Sequence, residues 1–166
     1  GHTAIIKAIK AAYPNVTHQR CIVHIQREAS IWLRKRPINQ ASIDLKSIVN
    51  LISIIRTQND KIEWLIRFNR WYDKYGDYIK EKAFSENTAR WWYRHRDLRR
   101  SAIMIKNAIP NMFHYLNDPT IQKSTNSIES FFGHLKDTIS IHRGLSRKNR
   151  KAFILWYLHF KNQSRH

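Results

Sequence analysis

Only four glycines and four prolines interrupt 166 residues, and between them apolar side chains recur every three or four positions. That pattern leaves little room for sheets and predicts a chain built mainly from helices. A first helix is expected from a cap at Thr3 to about Tyr13, with Ile5, Ile6 and Ile9 on its buried side and Pro14 just beyond it. His18 to Val23 reads as the one strand, after which His24 to Arg36 turns helical and stops at Pro37. From Ser42 to Arg56, the set Leu45, Ile48, Val49, Ile52 and Ile55 keeps helical spacing. The next helix has Asp60 as its expected cap, Leu65, Phe68, Tyr72 and Tyr75 as its stripe and Gly76 as its end, and it should pair antiparallel with the helix before it. Residues 77–95 follow no single period. Arg96 to Ile109 is helical up to Pro110, a loop surrounds Asn117, Asp118 and Pro119, and two last helices are expected over Asn126–Ile139 and Ser146–Phe160. The predicted plan is a short helix–strand–helix start, a helical block over 31–118 and a basic helical pair.

Charge limits what such a chain does. Thirty Lys and Arg face twelve Asp and Glu, a formal charge of +18 with a pI near 10.5. An excess of this size opposes compaction unless a polyanion offsets it, and nucleic acid is the expected partner because phosphate contacts release condensed counterions. The excess is concentrated at the ends: residues 1–40 carry a net +6, residues 121–166 a net +7 and the 80 residues between them only +5. The longest apolar run, Ala152 to Leu158, is far short of the ~20 residues that cross a bilayer, so no membrane span is encoded. The single cysteine, Cys21, excludes an internal disulfide and fits a reducing compartment. No signal or transit segment is legible, and the chain, which begins at Gly1, is expected to be a fragment or a processed piece of a larger protein.

The segment Lys123-Ser-Thr-Asn-Ser-Ile-Glu129-Ser-Phe-Phe-Gly-His-Leu-Lys136 is the most informative. Asn126 with Glu129 three residues later has the spacing of a capping box, which by itself would account for the Glu. Ile128, Phe131, Phe132 and Leu135 form one expected buried stripe, while Glu129, Gly133 and Lys136 share a neighbouring face. Glu129 is also one of only two acids after residue 118. A carboxylate among cations suits metal-dependent chemistry on phosphodiesters, although one carboxylate cannot hold a metal pair alone. Two further segments are read both ways. Arg90-Trp-Trp-Tyr-Arg-His-Arg96 either stacks on unpaired bases or packs over a distorted duplex or, as expected of tryptophans in a helical block, packs in the core or between domains. Arg143, Arg147, Lys148, Arg150 and Lys151 are a phosphate-contacting cluster in preference to a merely solvated face. Cys21-x-x-His24 is half of a zinc-site spacing, but no second Cys completes it, and Cys21 is more simply placed in the core with His24 near a helix start.

Thr125-Asn126-Ser127-Ile128-Glu129 followed by His142-Arg143-Gly144-Leu145 resembles the C-terminal catalytic region of bacterial insertion-sequence transposases of the Mutator-like type. The start is similar too: Gly1, a helix, Pro14 and Arg20-Cys21-Ile22-Val23-His24 stand in the order of that family's Asp-Gly pair, helix, Pro and Arg-Cys-x-x-His. The resemblance implies an incomplete ribonuclease H-like α/β catalytic domain of the DDE type, with 1–30 and 119–166 as parts of its core and 31–118 as a helical insertion. It implies Glu129 as the final metal-binding Glu, two Mg²⁺ ions, and DNA partners in the form of transposon ends and target, gripped by Lys136, Arg143 and the basic start of the last helix. It further implies a homo-oligomer, a cytoplasmic, nucleoid-associated place in a bacterium, and a structural role for Cys21, His24, Thr125 and Asn126. Both catalytic aspartates would lie before Gly1, since no Asp precedes Asp44, so the fragment alone is not expected to catalyse strand transfer. The rival reading is a non-catalytic nucleic-acid-binding protein, either a decayed transposase or a helical RNA-binding module. An anionic-lipid binder lacks the amphipathic surface helix that class requires.

Overall fold

A computed structural model describes residues 3–163, except for the side chains of Thr3 and Ile5. The expected cap at Thr3, the burial of Ile5 and the place of Gly1 lie outside what is described. Among the described residues seven helices carry the fold: α1 (Thr3–Ala12), α2 (Ile22–Leu33), α3 (Gln40–Asn50), α4 (Gln58–Tyr75), α5 (Arg96–Ala108), α6 (Asn126–Ile141) and α7 (Arg147–Gln163). The chain divides into two compact units, Gly1–Ser124 and Thr125–His166.

The first unit is organised by α2 to α5. On α2 the buried positions are Ile22, Ile25, Ala29 and Leu33, one stripe of a 3.6-residue period. They meet Leu45, Ile48 and Val49 of α3, Trp64, Phe68 and Trp71 of α4, and Leu98, Ala102 and Ile105 of α5 in a single core. The expected antiparallel pairing of α3 and α4 is present. Trp64 Nε1 donates to the Ile48 carbonyl near the end of α3, and Trp71 Nε1 to the Ala41 carbonyl near its start, each at 2.9 Å. These bonds let two indoles go into the core without an unsatisfied N–H. The expected stripe of α4 is displaced by a residue: Phe68 is buried, but Trp64 and Trp71 take the deepest places, leaving Leu65, Tyr72 and Tyr75 at the core margin.

Several boundaries differ from expectation, each for a local reason. His18–Val23 is not a strand. Among the described residues no strand lies beside residues 16–21, whose backbone is held by a loop instead: Arg20 N–H donates to Asn111 O, and Gln19 donates to Met112 O and accepts from His114 N–H. Helix α2 starts at Ile22, with Cys21 at its cap position. Helix α4 is capped by Thr57, not by Asp60: Thr57 Oγ1 accepts from Asp60 N–H, and the Asp60 carboxylate accepts from the N–H of Thr57, a reciprocal capping box. Gly76 does end α4, but in right-handed backbone; a Cβ there would meet the Tyr72 carbonyl oxygen at 2.6 Å. The segment without a clear period holds an antiparallel hairpin of β1 (Lys82–Ser85) and β2 (Arg90–Tyr93), with Phe84 opposite Trp91 and Ala83 opposite Trp92. In α1, Ile9 is exposed, and none of its described side chains is buried.

The second unit is a pair of helices. Phe131 faces Tyr157 and His142 faces Phe153, with centroids 5.7 Å apart in both cases, so α6 and α7 run antiparallel. Their link includes Gly144 at φ 106, a left-handed conformation that an L side chain strains to adopt. The Ser146 hydroxyl accepts from Asn149 N–H and caps α7. The expected buried stripe of α6 is largely open. Only Leu135 is buried, Phe131 is half-buried, and Ile128 and Phe132 are more than half exposed, because two helices share one face and leave the others uncovered.

Candidate nucleic-acid interface

In the second unit Glu129 stands on the first turn of α6. Its backbone N–H closes the first helical bond on Thr125 O at 2.8 Å, and its carboxylate accepts a hydrogen bond from the Thr125 hydroxyl. The cap position is therefore Thr125, one residue earlier than the expected Asn126, which is the first residue of the helix, and no side chain caps it. Glu129, Gly133 and Lys136 are all exposed on α6. Arg143 in the link and Arg147, Lys148, Arg150 and Lys151 on the first turns of α7 are exposed as well. They do not surround Glu129. His142 follows Glu129 by thirteen positions, about 20 Å at 1.5 Å per residue, so the basic cluster lies at the opposite end of α6. The unit has an acidic point at one end and a cationic end at the other.

The first unit supplies a surface that the composition of the chain predicts to be interior. Trp91 and Trp92 are 67% and 49% exposed and Phe84 is 44% exposed, so these tryptophans do not pack in the core of the first unit. Period-two alternation explains it. Phe84 and Trp91 share one face of the hairpin, with ring centroids 4.6 Å apart, while Trp92 lies on the other face, opposite Ala83. The hairpin stands against α5 through Tyr93, which has the Arg99 guanidinium 4.0 Å over its ring. Two other cations of α5 also lie over rings: Arg100 over Trp32 at 4.1 Å and Lys106 over Tyr72 at 4.4 Å. These three charges tie α5 to its neighbours and so are partly committed to the fold.

Cys21 is half-buried and His24 is exposed; the core positions beside them belong to Ile22 and Ile25. Among the described residues no three His, Cys, Asp or Glu side chains are grouped to hold a metal ion. No described helix is long and apolar enough to cross a membrane. In the sequence the aromatic hairpin is obscured: Lys-Ala-Phe-Ser and Arg-Trp-Trp-Tyr flank a four-residue turn in which Ala89 takes φ 49, but the turn contains neither Gly nor Pro.

The family model described as Transposase, Mutator family, matches residues 1–113, which stops short of Thr125–Glu129. No curated protein and no solved structure matches the chain. The match takes in α1 to α5, about two thirds of the residues, and the chain belongs to the Mutator family of transposases.

Proposed function

We propose that this chain serves DNA transposition as part of a DDE transposase, binding DNA and contributing the last carboxylate of the metal-binding set through Glu129. The observation that carries the proposal is an exposed Glu at the first turn of α6, positioned by the Thr125 hydroxyl within Thr-Asn-Ser-Ile-Glu, in a chain whose family transposes DNA. On this reading 1–30 and 119–166 belong to a ribonuclease H-like core and 31–118 to a helical insertion. The uncovered apolar sides of α6 and α7, with Ile128, Phe132, Leu155, Trp156 and Phe160 exposed, fit helices that complete a larger core. One carboxylate does not hold a metal pair. The two Mg²⁺ ions would take Glu129 as one ligand among several, and when bound they would activate the attacking oxygen and stabilise the leaving one.

The remaining assignments concern grip. Lys136, Arg143, Arg147, Lys148, Arg150 and Lys151 would contact phosphates of the transposon end or target, positioning DNA without reading its sequence. The roughly 20 Å between Glu129 and the basic end of the pair corresponds to about six base pairs of duplex, so those contacts would fall outside the scissile step. Assembly as a homo-oligomer on paired ends belongs to the same proposal.

Glu129→Gln in the full transposase tests it. Gln still accepts from Thr125, so folding stability should stay within about 0.5 kcal/mol, DNA binding should persist, and end cleavage and joining in Mg²⁺ should be lost. Normal cleavage by the variant would remove the metal-ligand role. A wild-type protein that binds ends but never cuts them would establish the non-catalytic reading.

A further inference from the structure

The first unit contains a cleft that the roles assigned to Glu129 and the basic cluster leave unused. It has a volume of about 290 Å³ and lies between the end of α2, the loop leading to α3, and the start of α5. Half-buried Trp32 and buried Leu98 form an apolar floor, the buried Ser42 lies beside them, and Arg34, Arg94 and Arg96 line the rim. We infer that this cleft is a phosphate-ester subsite that takes the backbone of a nucleic-acid strand, with sugar against the apolar floor and phosphate in the arginine rim.

Charge and preorganisation both support this. Three arginines line the cleft with a single acid, Asp97, whose carboxylate is 3.6 Å from Arg96 Nε and offsets only part of the excess. Arg100, which does not line the cleft, lies over the ring of the floor residue Trp32 at 4.1 Å and adds positive charge to that neighbourhood. Arginine suits the assignment because its planar fork matches phosphate oxygens in pairs. Arg34 is held in place despite a backbone that disfavours it: at φ 63 it is one of two non-glycine residues with positive φ among the described residues. Lys46 Nζ clamps that turn by donating to Arg34 O at 2.6 Å and Lys35 O at 2.7 Å. Strained backbone of this kind persists where the surroundings over-determine it, commonly at ligand sites. Arg94 is positioned from the other side, its N–H donating to Glu81 O at 2.9 Å where β2 ends. The same strand carries exposed Trp91, so aromatic faces for bases and cations for phosphates occur on one short segment, the combination that binds single strands without sequence preference.

The subsite rests on the reading of the chain as a DNA-handling protein, and its test separates the two. Binding of the full chain to a fluorescent single-stranded DNA of about 20 nucleotides, longer than one site of this class needs, is followed by anisotropy over a series of salt concentrations. Arg34→Gln/Arg94→Gln should weaken binding about tenfold or more near 0.1 M salt and flatten the salt slope by about 0.7 for each phosphate that is no longer neutralised. Lys80→Gln, a surface charge paired with Asp77, should change both far less, and all variants should keep the wild-type melting temperature. Arg94→Lys should keep the slope yet still lose affinity, because the charge remains and the fork does not. Adenosine monophosphate competing at millimolar concentration against wild type alone would identify a site for any phosphate ester; absence of competition, with the strand effects intact, would assign it to the polymer. If the double variant binds like wild type or like Lys80→Gln, the cleft is not the subsite. If the wild-type chain binds a duplex of the same length but no single strand, the subsite fails and the DNA-handling reading stands; if it binds neither, both fail.

Discussion

Thr57 and Asp60 show how one residue boundary is decided. An acid three residues into a helix can be taken from sequence as the cap, since Asp is a good capping residue. In the structure its carboxylate instead reaches back to the N–H groups of Arg56 and Thr57, both at 2.9 Å, and the Thr57 hydroxyl occupies the cap. The bonds from those N–H groups, together with the Thr57 hydroxyl, hold the Asp60 carboxyl below its ordinary value of 3.8. Thr57→Ala should cost about 1 kcal/mol in urea unfolding, the usual loss for such a cap. A lowered carboxyl pKa adds stability that is full above the unfolded value and lost as pH falls through the folded one. The pH dependence of unfolding below 3.8 should therefore be shallower in Asp60→Asn than in wild type. Unchanged acid behaviour would mean the carboxylate contributes nothing at the helix start.

The hairpin shows the same point for elements. Six tryptophans in a helical chain are expected to fill its interior, and Trp64 and Trp71 do, because α4 faces α3 and two carbonyls await their N–H groups. Trp91 and Trp92 lie on β2 of a two-stranded sheet, where no element covers their rings. Their substitution should separate binding from stability. Trp91→Ala should change stability by about 1 kcal/mol, the scale of one exposed aromatic pair, and should weaken single-stranded DNA binding by about 1–3 kcal/mol if a base stacks there. Phe68→Ala, in the centre of the core, should cost about 3–5 kcal/mol. Equal stability losses at the two sites would show that the hairpin aromatics are interior after all. Here helical periodicity was legible over α2 to α5, while the hairpin was not, because strands of four residues give little periodic signal and its turn has no glycine.

At the scale of the molecule, the two units differ in how much they bury. The first encloses a continuous core from Ile22 to Phe113. The second buries Leu135 alone among its described residues. A peptide of residues 125–166 should therefore show little helix by circular dichroism in dilute buffer, since two short helices without a core are marginal in water. Residues 1–124 should unfold in one cooperative transition. A stable helical signal in the short peptide would show that the pair needs no further cover.

Local rules determined which segments become helices, because capping, proline stops and a 3.6-residue apolar period act within a few neighbouring residues. The sequence also carried the family resemblance, and residues 1–113 bear it out. Tertiary structure decided the rest. It turned the expected strand at His18–Val23 into a segment tied to the loop around Asn111, since a strand requires a partner from elsewhere. It exposed Trp91, Trp92 and Trp156 and buried Trp64 and Trp71, since burial depends on which face a neighbour covers. It also separated Glu129 from the basic cluster by the length of α6, since helices convert closeness in sequence into distance in space.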